Sequence, residues 1–133
     1  MKFRYKKYAP GILRPVIPIE IIHKNLAVPY EVLVDSGSDL NIFDAQIADI
    51  LGVKLHSGKL SSVSGITGVE ETYYAHKLDL KVGGHLFKDV EVGFLKQIGK
   101  YGYGIVGQRG FFDIFIVKFD LLKEEIELKL RES

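Results

Sequence analysis

The stretch VLVDSGSDLNIF, residues 32–43, decides how the chain is read. It opens with β-branched and aliphatic side chains, as a buried strand does, and then reaches a carboxylate at Asp35. A carboxylate at the end of an apolar run must be desolvated, paired or used, because an unpaired buried charge is costly or shifts its pKa. Taken alone, DSGS is good turn chemistry, in which the Asp side chain accepts a backbone N–H two residues on. The sequence on either side has to separate a turn from a site.

Upstream, RPVIPIEIIHKNLAVPYEVLVDSG, residues 14–37, reads as two apolar runs around the polar turn of Lys24 and Asn25, with prolines 15, 18 and 29 near ends or edges. A hairpin therefore leads into Asp35. Downstream, DAQIADILG offers Asp44 as an N-cap, Ile47, Ile50 and Leu51 at helical spacing and Gly52 as a stop, which predicts one short helix. Residues 59–95 alternate with period two and break at SGITG and VGG, as antiparallel strands would. YGYGIVG follows, then QRGFFDIF, which has room for a helical turn or two, and finally IVKFD and IELKL around the charged turn LLKEE. Strands do not alternate with long helices, so a small, mainly β, closed barrel-like fold with one or two short helices is expected rather than a parallel α/β sheet.

The length, 133 residues, suits a single domain spanning 1–133, and 47% hydrophobic with 26% charged residues is ordinary globular composition. A net charge of +1 supplies no general field for nucleic acid or an anionic membrane. The N-terminal MKFRYKKY interleaves Lys2, Arg4, Lys6 and Lys7 with aromatics, a pattern that could stack bases, but it also describes an edge strand with one solvated face. The edge strand is the simpler reading, so neither nucleic acid nor membrane is expected as a partner. With no secretory pattern, no transmembrane run and no cysteine, the expected location is cytoplasmic.

Other motifs carry less. Gly102, Gly104 and Gly107 match a dinucleotide fingerprint, but too little chain follows to build the βαβ units that fingerprint requires. His23, His56, His76 and His85 lack metal-ligand spacing, and no serine sits in a nucleophile elbow.

The apolar run into Asp35, the glycine-tipped hairpin some way after it and the second apolar element GIVG before FFDIF together resemble the retropepsin-like aspartic proteases, in their single-lobe, cellular form. The resemblance runs along most of the chain. It implies Asp35 as the catalytic carboxylate, Ser36, Gly37 and Ser38 as the active-site loop, and VSGITGVE as the flap. Within that flap it implies Ser64, Gly65, Ile66, Thr67 and Gly68 as substrate-covering residues, with Ile105, Val106 and Gly107 in support. Two departures stand out: Ser36 where Thr is common, which keeps the hydroxyl, and QRGFF after Gly107 where an Arg-Asp pair is more familiar. Ser38 adds a hydroxyl near the carboxylate that could favour its ionised form.

The implied function is hydrolysis of peptide bonds by water held between two carboxylates, without cofactor or metal. The chain has no second Asp followed by Ser or Thr and Gly, so a homodimer would supply Asp35 twice, acting on a peptide or protein substrate. The alternative is a catalytically silent dimer of the same fold that clasps peptides or a partner protein, since fold does not fix function.

Overall fold

Residues 1–64, 67–96 and 102–132 are described by the computed structural model of the chain. The basic and aromatic N-terminal segment divides between β1 (Lys2–Arg4) and β2 (Lys6–Ala9), and β2 folds back on β3 (Ile12–Arg14). β4 (Val16–His23) and β5 (Leu26–Val34) form the expected hairpin, with Lys24 left-handed at φ 55° in the turn. β6 (Asn41–Asp44) runs directly into α1 (Ala45–Leu51). The Asp44 side chain accepts the Gln46 N–H at 2.8 Å, and Gly52 ends the helix at φ 75°, the cap pair the sequence predicts.

After a 3-10 turn at Leu55–Ser57 come β7 (Lys59–Ser64), β8 (Glu70–Val82) and β9 (His85–Leu95), then β10 (Gly104–Val106), β11 (Phe115–Asp120) and β12 (Glu125–Leu130). QRGFFDIF forms tight turns rather than a helix. The N–H groups of Phe112 and Asp113 reach the carbonyls of Gly107 and Gln108, whereas those of Ile114 and Phe115 both reach Phe111, so no regular ladder propagates. Gly110, at φ 99°, has left the helical region altogether.

Hydrogen bonding orders the strands β4-β5-β10-β6-β9-β8, and β8 returns to β4 through Glu20–Ile22 against Lys81–Asp79, closing a six-stranded barrel with β7 outside β8. The fold is the mainly β, barrel-like one expected. Hairpins make most pairings antiparallel, but β5 with β10 and β6 with β9 are parallel. Those parallel pairs position the site. β5 and β10 finish side by side, and the connection from β5 to β6 has to cross the end of β10. Gly107 stands at that crossing: a Cβ there would lie 2.5 Å from the Ser38 carbonyl oxygen and 2.6 Å from that of Leu40. Gly104 faces Tyr30 and Phe43 as closely, at 2.5 and 3.0 Å. Two of the three glycines that mimic a dinucleotide fingerprint thus answer to packing inside the barrel, while Gly102, with open space around it, is left-handed at φ 78°.

Ile17, Val32, Phe43, Val92, Phe94 and Val106 are among the side chains that fill the main core. A second buried cluster, Leu40, Ile42, Tyr73 and Leu95, forms outside it. β1, β12 and β11 make a separate three-stranded sheet, with β1 at its edge as the N-terminal pattern predicts. Lys2 and Arg4 meet Glu127 and Glu124 at 3.9 and 3.6 Å, and Lys6 meets Glu31, so three of the cations face carboxylates. No helix of the described residues is long and apolar enough to cross a membrane.

Tyr30 couples this core to pH. It is buried, its hydroxyl accepts the Asp44 N–H at 3.2 Å, and desolvation pushes its pKa up to about 12, from 10.0, against a smaller opposing effect of that backbone bond. The folded state therefore favours the neutral phenol. Its contribution is complete below pH 10 and is lost as pH rises toward 12, an effect of roughly 3 kcal/mol. Urea midpoints measured from pH 9 to 12 should fall less steeply in Tyr30→Phe than in the wild type; parallel curves would contradict this.

Candidate active site

Asp35 is the first residue beyond β5, and its N–H donates to the Val106 carbonyl at 3.0 Å, extending the parallel ladder by one step. The chain then turns sharply: the Ser38 N–H returns to the Asp35 carbonyl at 3.1 Å, and the Gly37 N–H donates to Asp35 Oδ1 at 2.9 Å. The DSGS turn is thus real, and it is also how the carboxylate is aimed. Gly37 suits the position because a Cβ there would press on Asp35 Oδ1 at 3.2 Å. A carboxylate fixed by a backbone N–H keeps a free oxygen for a water molecule or a substrate.

Asp35 lies on the wall of a groove of about 510 Å³. Ile42, Leu95 and Ile105, which belong to or pack on the second buried cluster, give the groove an apolar surface, and Val63, Ser64, Thr67 and Val69 face it from the β7–β8 hairpin. Strand alternation explains the division: Val63 pairs with Glu71, which also lines the groove, and two residues further along β8 the buried Tyr73 faces the same way. The result is a groove lined both by the Asp35 carboxylate and by the β7–β8 hairpin.

Of the residues predicted from sequence, Asp35, Gly37, Ser38, Ser64, Thr67 and Ile105 come together around this groove. Gly68, left-handed at φ 79°, lies between two lining residues. Gly65 and Ile66 lie outside the described residues. Ser36 is exposed next to the carboxylate, and Val106 and Gly107 act from behind through backbone contacts. Ser38 behaves differently from expectation. Its hydroxyl donates to the Leu40 carbonyl at 2.8 Å, bracing the crossover rather than solvating Asp35.

Sequence reasoning missed Asn41, the one buried side chain among the described residues that is neither apolar nor aromatic. Its Oδ1 accepts the Gly107 N–H at 3.0 Å and its Nδ2 donates to the Glu91 carbonyl at 3.3 Å, tying the crossover to β9 and to the end of β10. The available signal was a polar residue between Leu40 and Ile42 at the start of an apolar strand. Asp39, Val69 and Glu71 were also not anticipated as groove residues.

A family model described as aspartyl protease matches residues 18–109, a span that includes Asp35, the hairpin and Gly107. The chain belongs to the aspartyl protease family. This aspartyl protease chain shares its fold with solved structures. A retropepsin-like aspartic protease from Rickettsia conorii is 19% identical, with 95% of this chain and 97% of that one covered at a TM-score of 0.64. The EIAV protease, solved in complex with the inhibitor HBY-793, is 20% identical over 71% of this chain and 81% of its own, at a TM-score of 0.53. None of the curated proteins matches the chain. The retropepsin-like fold expected from the Asp35 and Gly107 motifs is therefore the fold found.

Proposed function

We propose that this chain is an aspartic endopeptidase that works as a homodimer, with one Asp35 from each copy sharing a proton around the attacking water. The observation that carries the reading is Asp35 itself: a carboxylate oriented by the Gly37 N–H, on the wall of a groove of about 510 Å³, in a member of the aspartyl protease family. In the coupled pair, one carboxylate is ionised and takes a proton from the water. Its protonated mate donates to the scissile carbonyl and stabilises the oxyanion that forms there. Ser36, exposed next to Asp35, would then bond across the dimer axis.

An extended peptide would lie along the groove, its side chains against Ile42, Leu95 and Ile105, under the hairpin that carries Ser64, Thr67 and Gly68. Closing that hairpin over the bound peptide would exclude water from the reacting bond.

The dyad needs two chains, so assembly and activity should fail together. Specific activity on a peptide drawn from a diverse mixture, with cuts mapped by mass spectrometry, should fall on dilution with the same midpoint that sedimentation gives for dimer dissociation. Constant specific activity in a range where sedimentation finds only monomer would rule out the shared dyad. A folded dimer that binds peptides without cutting them would instead establish the silent binding module.

A further inference from the structure

The Ser36–Gly37 peptide unit is held from both sides. Its N–H, on Gly37, donates to Asp35 Oδ1 at 2.9 Å, and its C=O, on Ser36, accepts a hydrogen bond from the Gln108 side-chain amide. Gln108 also donates its backbone N–H to the next carbonyl but one, Ser38, at 2.8 Å. Because a peptide unit is planar and trans, N–H and C=O point in opposite directions, and fixing one fixes the other. A donor on the carbonyl also polarises the unit and strengthens its N–H as a donor. We infer that Gln108 is a positioning residue: it sets the direction and strength of the Gly37 N–H bond to the catalytic carboxylate without touching substrate.

The inference rests on the endopeptidase reading for its effect on rate, but the contact itself does not. Gln108 is the first residue after Gly107, where the sequence departs from the more familiar Arg-Asp pair, and the departure puts a neutral amide donor beside the loop. Its side chain is exposed and belongs to neither buried cluster, so its removal should leave the core intact. What changes is the freedom of one peptide unit to rotate away from Asp35.

The experiment compares wild type with Gln108→Ala and Gln108→Glu, the second keeping length while losing the donor at neutral pH. In both variants the Gly37 amide proton should move upfield in the nitrogen-correlated NMR spectrum, and its exchange with solvent should quicken by roughly tenfold. Peptide cleavage should show kcat lowered by roughly tenfold with KM within about twofold, because the affected bond is to the carboxylate and not to the peptide. Thermal midpoints should stay at the wild-type value. An unmoved Gly37 resonance in both variants overturns the inference, as does a loss of kcat that merely follows a loss of folded protein. If the wild type cuts no peptide, the endopeptidase reading falls by itself, and the Gly37 resonance still decides whether Gln108 sets that bond.

Discussion

Asp35→Asn is expected to lower peptide cleavage by roughly a thousandfold or more while leaving the fold and the dimer unchanged. The substitution is nearly isosteric. The backbone bonds that build the loop, from the Asp35 N–H to Val106 and from the Ser38 N–H to the Asp35 carbonyl, do not involve the side chain. The amide oxygen of Asn can still accept the Gly37 N–H that Oδ1 accepts now at 2.9 Å. What disappears is the ability to take a proton from water, and in a homodimer it disappears from both copies at once. General acid–base catalysis is worth roughly a hundred- to ten-thousandfold, and the loss of both partners places the variant toward the upper end. Initial rates on a mapped peptide, with circular dichroism and sedimentation on the same samples, test this directly. Wild-type rates in Asp35→Asn would mean that the chemistry lies elsewhere.

The features legible in the sequence are those set by neighbours along the chain. The apolar run into Asp35, the Asp44 and Gly52 caps of α1, the turn at Lys24 and Asn25 and the paired glycines 83 and 84 are decided within a few residues, and each forms as read. The features not legible depend on which distant segments meet. β10 is only Gly104–Val106, too short for a periodic signal, yet it inserts between β5 and β6 and creates the crossing that Gly107 must accommodate. Asn41 reaches partners 50 and 66 residues away. Ser38 looked like a ligand of the neighbouring carboxylate, but the crossover offered its hydroxyl the Leu40 carbonyl instead. For the site the division is the same: Asp35, Gly37 and the hairpin residues Ser64 and Thr67 were visible as motifs, whereas Val69 and Glu71 join the groove through the pairing of β7 with β8, and Asp39 through the turn that follows Asp35.

That dependence on distant contacts makes Asn41 a sensitive structural position, and Asn41→Leu is expected to destabilise the protein by roughly 2–5 kcal/mol. Leucine matches the side chain in size but satisfies neither the Gly107 N–H nor the Glu91 carbonyl, and a buried polar group left unpaired costs about 1–3 kcal/mol. Leucine also brings methyl groups against Gly110, whose absent side chain leaves room for the Asn41 amide at a hypothetical Cβ distance of only 2.4 Å. Urea unfolding at a fixed protein concentration measures the loss, with concentration held constant because the proposed dimer would contribute to the apparent stability. Asn41→Asp offers the discriminating control. It keeps the oxygen that accepts from Gly107 but, when ionised, turns an acceptor toward the Glu91 carbonyl, so it should be destabilised at neutral pH and recover part of the loss in acid, where a protonated carboxyl can donate. An Asn41→Leu protein with a wild-type midpoint would show that neither bond holds the crossover. In that case the placement of Asp35 would have to rest on Gly107 packing and the β5–β10 ladder alone.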